Sequence, residues 1–197
     1  MLRDGKGLIG LALVTASILA VSLGCHSLRL KAPVTPFEHR VARDQLILHS
    51  DFSLEKEQRL IEELTAQREW LTNELRLSAT EVPIHVYLYA DEANYYEQIE
   101  RKFPSFGNRR AIFVDQGDQL SVYAHWSEHV ADDLRHEVSH GYLHAAIPHL
   151  PLWLDEGLAE YFEVGQAREG LNRAHVRLLR QKTITEEWSP RLARLEQ

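Results

Sequence analysis

The spacing of apolar residues changes several times along this chain, and each change predicts an element. Leu8 to Leu23 is an apolar run without a charged residue, preceded by Arg3 and Lys6. A basic start followed by such a run predicts a targeting segment over residues 1–25. From residue 26 to about 40 the pattern lapses and Pro33 and Pro36 intervene, which predicts a tether. Gln45 to His49 is a short apolar run and predicts a first strand. Leu60, Ile61, Leu64, Leu71 and Leu75 recur at helical spacing and predict an amphipathic helix over 54–76. Ser53 is its expected N-cap, with Glu55 and Glu57 in the first turn, where the helix dipole favours them. Val82, Ile84, Val86 and Leu88 then alternate with His85, Tyr87 and Tyr89, the signature of a strand.

Asp91 is a cap for a helix running to about Phe103, and 104–108 reads as a loop. Strands are expected over 110–115 and 119–125, joined by a hairpin turn at Gln116-Gly117-Asp118. Ser127 caps a long helix to about Ala146, and Pro148 and Pro151 bracket a break. A further helix covers 152–163 and ends at Gly165; a last one covers 170–181. Residues 184–197 form a weakly patterned tail. The order β-α-β-α-β-β-α-α-α predicts an α+β domain over 41–183, with helices covering one face of a small mixed sheet.

Composition narrows the chemistry. With 197 residues, 44% hydrophobic and 26% charged, the chain is long enough to bury one core. Lys plus Arg is 22 against 29 for Asp plus Glu, a net charge of -7, which argues against a nucleic-acid partner. Six of the 11 histidines (125, 129, 136, 140, 144 and 149) crowd into 25 residues. Cys25 is the single cysteine, so there is no internal disulfide and no thiolate-rich zinc finger. A metal site here must be built from imidazole and carboxylate.

The sequence offers such a site at His136-Glu137-Val138-Ser139-His140. Residues four apart on a helix lie nearly one above the other, so both imidazoles can grip one tetrahedral ion. Glu137 lies about 100° round the helix, on the flank of the same cleft, where it reaches a water on that ion rather than the ion itself. Val130, Leu134 and Val138 form the opposite, core-facing stripe. A catalytic zinc site has three protein ligands. Fifteen residues after His140, a second helix brings Asp155, Glu156 and Glu160, any of which is a candidate for the third. Gly157 within that helix points to a close approach of the two helices. The bland alternative for both stretches is a pair of solvated helix faces.

The combination of His136–His140 with Trp153-Leu154-Asp155-Glu156-Gly157-Leu158-Ala159-Glu160-Tyr161 resembles the gluzincin metallopeptidases, above all the compact bacterial peptidase MA-like group. The resemblance covers roughly residues 45–165. It implies a zincin-like fold, a bound Zn2+ with His136, His140 and Glu156 as ligands, and Glu137 as general base in peptide-bond hydrolysis. It also implies that Glu160, four positions after the ligand, supports the first histidine, although relatives usually carry Asp there. By the same resemblance, strand 119–125 is an edge that pairs with an extended substrate. The metzincin pattern is absent, because Leu143 and Ala146 stand where that class has Gly and His. The Gly-x-Met-Glu-Asn element of aminopeptidases is also absent, since Met1 is the single methionine.

Tyr123, His125, Tyr142 and Tyr161 are the candidates for a donor to the oxyanion of the intermediate. Two functions from different classes follow. One is a zinc-dependent endopeptidase acting on a peptide or protein substrate. The other is a catalytically silent binding or assembly module of the same fold at the cell envelope. Ser22-Leu23-Gly24-Cys25 resembles a bacterial lipobox, with Ser22 where Leu is usual. A lipidated Cys25, an uncleaved anchor and a cleaved signal all remain open, and all three predict export, the first two with attachment to a membrane.

Overall fold

The structure is a computed structural model and describes residues 37–191, apart from 169, 186 and 190. The expected targeting segment, Cys25, the expected tether up to residue 36 and the last six residues of the tail lie outside the described residues. Among those described, no helix is long and apolar enough to cross a membrane.

A five-stranded mixed sheet organises the domain. Its strands are β1 (His39–Arg43), β2 (Leu46–Ser50), β3 (Ile84–Tyr89), β4 (Ala111–Asp115) and β5 (Leu120–His125), in the order β1-β2-β3-β5-β4. The three central strands are parallel, and both edges pair antiparallel through hairpins. The helices are α1 (Gln58–Leu75), α2 (Glu92–Lys102), α3 (Val130–Ala146), α4 (Leu152–Glu163) and α5 (Arg173–Ile184).

The expectation of helices on one face is corrected by this arrangement. Leu46, Leu48, Ile84, Val86, Val122 and Ala124 face a core closed by α1, α3 and α4. Tyr89, Ile112, Val114 and Tyr123 face the other way and are covered by Tyr95, Ile99 and Phe103 from α2 and the residue after it. Strand β5 is buried at every position because it has neighbours on both edges and layers on both faces.

Strand β1 was not expected, and the tether therefore ends earlier than residue 40. His39 to Arg43 is almost wholly exposed, so it carries no apolar alternation. It is held by its register with β2, through a two-residue connection in which Asp44 adopts φ +46°. At the other edge, Gly117 takes φ +81° in the expected hairpin, with its N–H donated to Asp115 Oδ1 at 2.7 Å.

Two expected caps are displaced. Ser53 precedes a single 3-10 turn over Glu55–Glu57, and α1 begins only at Gln58, because Leu54 turns into the core. Ser127 closes a turn by accepting from His129 N–H at 3.2 Å, and α3 begins at Val130. Asp91 caps α2 as expected, accepting from Asn94 N–H at 2.8 Å.

Helix α3 is fixed from two sides. Val130, Leu134 and Val138 are buried as the stripe predicts. Gly141 lets the helix press onto β3, since a Cβ there would lie 2.9 Å from Ile84 Cγ2. The buried Gln67 Nε2 of α1 lies 2.8 Å from the Arg135 carbonyl, 2.7 Å from Ser139 Oγ and 3.2 Å from the Phe162 carbonyl, and its two N–H groups tie α1, α3 and α4 together.

Candidate metal centre

The rigid packing of α3 against the sheet turns its other flank towards α4. His136 Nε2 and His140 Nε2 lie 3.3 Å apart, and Glu156 Oε2 lies 3.6 Å from the first and 4.0 Å from the second. Donors held about 2.0–2.1 Å from one tetrahedral ion are themselves about 3.3–3.4 Å apart. The two imidazoles meet that spacing, and the carboxylate needs to close by a few tenths of an ångström. Glu156 is half exposed, which gives it that freedom and leaves the group reachable from solvent.

The chemistry of the donors fits as well as their spacing. His136 Nδ1–H donates to Glu163 Oε2 at 3.0 Å, and His140 Nδ1–H donates to Asp155 Oδ1 at 2.7 Å. With both Nδ1 protons committed, both Nε2 atoms present lone pairs to the same point. Two such lone pairs facing across 3.3 Å repel unless a proton or a cation lies between them. The residues therefore fit a metal cation.

The carboxylates behind the imidazoles are themselves held. Asp155 also accepts from His144 Nε2 at 3.1 Å, and His144 Nδ1 meets Asp115 Oδ2 at 2.9 Å. Burial opposes charge on Asp155, but the hydrogen bonds from His140 and His144 outweigh it and hold its carboxyl well below the ordinary range. Burial likewise opposes the His136 cation, yet the bond to Glu163 and the nearby charges of Glu137, Glu163 and Glu156 raise its pKa. The Phe113 ring lies nearly parallel to His140, with centroids 5.7 Å apart, and braces the second imidazole.

Glu137 sits beside this pair without competing for the shared point. Burial pushes its carboxyl up; His136, His140 and a hydrogen bond from the Phe113 backbone pull it partly back. A partly buried carboxyl with a raised pKa beside two imidazoles can accept and return a proton.

Several expectations are corrected by the geometry. Glu160 does not support His136: its carboxylate turns to His175 of α5, and Glu163 occupies the position on His136 Nδ1. Asp155 stands behind His140 rather than among the donors to the shared point. Gly157 marks no close helix contact, since a Cβ there would meet nothing within 4 Å; the glycine at a close approach is Gly141, and it faces Ile84 of β3. The edge strand beside the site is β4, not 119–125, which lies between β3 and β4.

None of the four expected oxyanion donors reaches the group. Tyr123 and His125 point to the α2 side of the sheet, Tyr123 accepting from Lys102 Nζ at 2.6 Å and His125 lying against Tyr95 and Tyr96. The Tyr142 hydroxyl donates to the Leu64 carbonyl inside the core. The Tyr161 ring packs on Trp70 and against Gly170. A hollow of about 430 Å³ lined by Trp70, Arg135 and Arg168 does not include the three donors.

Asp155 and Glu163 are the partners of the two imidazoles that the motif did not assign. Glu163 lies seven positions after Glu156 and so shares its helix face, as Glu160 does. Compared with known proteins, the chain matches no protein-family model and no curated protein.

Proposed function

We propose that this chain is a zinc-dependent peptide-bond hydrolase of gluzincin type on a zincin-like fold, with His136, His140 and Glu156 as the metal-holding residues. One observation carries the reading: two imidazoles, each backed by its own carboxylate, turn bare Nε2 atoms to one point 3.3 Å wide with a third, acidic side chain beside it. When bound there, zinc supplies Lewis acidity, which polarises a carbonyl and makes water a stronger acid.

The chain's own groups account for the remaining steps. Glu137 accepts a proton from the attacking water at its carboxylate and returns it to the departing amine nitrogen. The half-exposed Trp153 and the exposed Leu152, one turn before Glu156, offer apolar surface for substrate side chains. Strand β4, an edge whose Phe113 ring lies against His140, is the element suited to lie along an extended peptide. The uncharged run Leu8–Leu23 extends the proposal to an exported protein attached to the bacterial cell envelope.

A second reading, a catalytically silent binding or assembly module, is favoured by one specific observation: Tyr123 and His125 lie on the α2 side of the sheet, the Tyr142 hydroxyl donates to the Leu64 carbonyl in the core, and the Tyr161 ring packs on Trp70. Glu137→Gln separates the two. The hydrolase reading expects cleavage of a broad peptide library by the wild type, about 10²–10⁴-fold slower cleavage by the variant, and equal zinc content in both. No cleavage by either protein supports the module.

A further inference from the structure

Helix α5 has no buried residue, yet its first turn reaches into the metal centre. Asn172, its N-cap, makes three contacts with one side chain. Its Oδ1 accepts from Ala174 N–H and His175 N–H, each at 3.2 Å, and its Nδ2 donates to Glu163 Oε1 at 2.5 Å. The other oxygen of that carboxylate accepts from His136 Nδ1–H, and the Glu163 carbonyl accepts from Arg135 Nε at 2.6 Å. Glu163 is thus held at three points, and the one that fixes the rotation of its carboxylate comes from α5.

Capping alone does not require this residue. Ser, Thr, Asp and Asn all cap well because all supply an oxygen. Asn is the one among them whose capping group also carries an N–H donor for a carboxylate. Two further contacts set α5 at the same spot. His175 meets Glu160, and Gly170 at φ +73° lies against the Tyr161 ring, where any Cβ would overlap it.

We infer that Asn172 is a positioning residue of the metal centre: by caging Glu163 it fixes the tautomer and direction of His136, so that the C-terminal helix is part of the site. The inference rests on the metal reading above. Loss of a carboxylate partner behind a ligating imidazole weakens metal binding by about 10–100-fold. Loss of the residue that orients that carboxylate is expected at the lower end, about tenfold.

The test uses the full chain with Asn172→Ser, which keeps a capping oxygen without the amide donor, and Asn172→Ala, which lacks both. Zinc affinity is measured by competition with a chelating dye, and the His136 Nδ1–H resonance is followed by NMR in zinc-free protein. Support is a tenfold loss of affinity in both variants, with that resonance lost or broadened. Wild-type affinity in Asn172→Ser overturns the inference and leaves the metal reading standing. If the wild type itself binds no zinc, the metal reading falls. The resonance in zinc-free protein then decides: its loss in Asn172→Ser sustains the Asn172–Glu163–His136 chain, and its persistence overturns it. Should Asn172→Ala fail to fold, the Ser variant carries both readouts alone.

Discussion

Replacing Asp155 by Ala tests whether the imidazoles are held by the carboxylates behind them. Asp155 is 7% exposed and accepts from His140 at 2.7 Å and His144 at 3.1 Å. A hydrogen bond to an ionised group contributes about 1.5–3 kcal/mol, and a buried donor left without an acceptor costs about 1–3 kcal/mol. His140 is buried and loses its only Nδ1 partner, whereas His144 is partly exposed, keeps Asp115 and can turn to water. The loss is therefore dominated by one bond, and metal-free protein should be destabilised by about 2–4 kcal/mol. Zinc affinity should fall by about 10–100-fold as well. Asp155→Asn keeps an acceptor for His140 and should show about half the loss in stability. Urea unfolding of the full chain in the presence of a chelator reads the first quantity, provided the denaturant slope is unchanged. Stability of Asp155→Ala within about 0.5 kcal/mol of wild type, a margin typical of unremarkable surface changes, would refute the reasoning.

The outer link of that network gives a pH dependence with a definite sign. His144 is raised above its ordinary 6.5, first by its bond to Asp155 and then, against some burial, by Asp115; this contribution is complete below 6.5 and fades as pH rises through the raised value. Asp115 is lowered below 3.8, chiefly by His144, and its contribution fades as pH falls through the lowered value. Asp115→Asn should therefore cost about 0.5–1 kcal/mol near pH 6, a figure reduced for its partial exposure, and almost nothing at pH 9; an equal cost at both values contradicts the pairing. Gly141→Ala should destabilise by about 1 kcal/mol or more, because overpacking against Ile84 outweighs the better helix propensity of Ala. A more stable Gly141→Ala protein, by thermal or urea unfolding, would show that α3 does not press on β3 there. Glu137→Gln should retain zinc while losing peptide cleavage, as set out above.

Much of this architecture is written in local pattern. Helix α1, strand β3 and helix α3 are legible because each repeats its apolar period over two or more turns or along a whole strand. The approach of His136 and His140 is legible because four-residue spacing on a helix places the two together without help from the rest of the fold. What could not be read depends on partners distant in sequence. Glu160 and Glu163 share the Glu156 face of α4, so periodicity cannot choose between them as partner of His136. The choice is made by α5, whose His175 takes Glu160 and whose Asn172 takes Glu163. Strand β1 carries no apolar alternation because one edge strand can be held by its ladder alone. The order β3-β5-β4 is a matter of which strand pairs with β3, and neither strand's own residues declare it.

Metal stoichiometry and ligand type decide whether His136, His140 and Glu156 share one ion. X-ray absorption on the zinc-loaded full chain should report one ion with two imidazole nitrogens and at least one carboxylate oxygen at about 2.0–2.2 Å, and His136→Ala, His140→Ala and Glu156→Ala should each weaken or abolish loading. A wild type that takes up no zinc, or whose loading survives His140→Ala unchanged, would contradict that shared site.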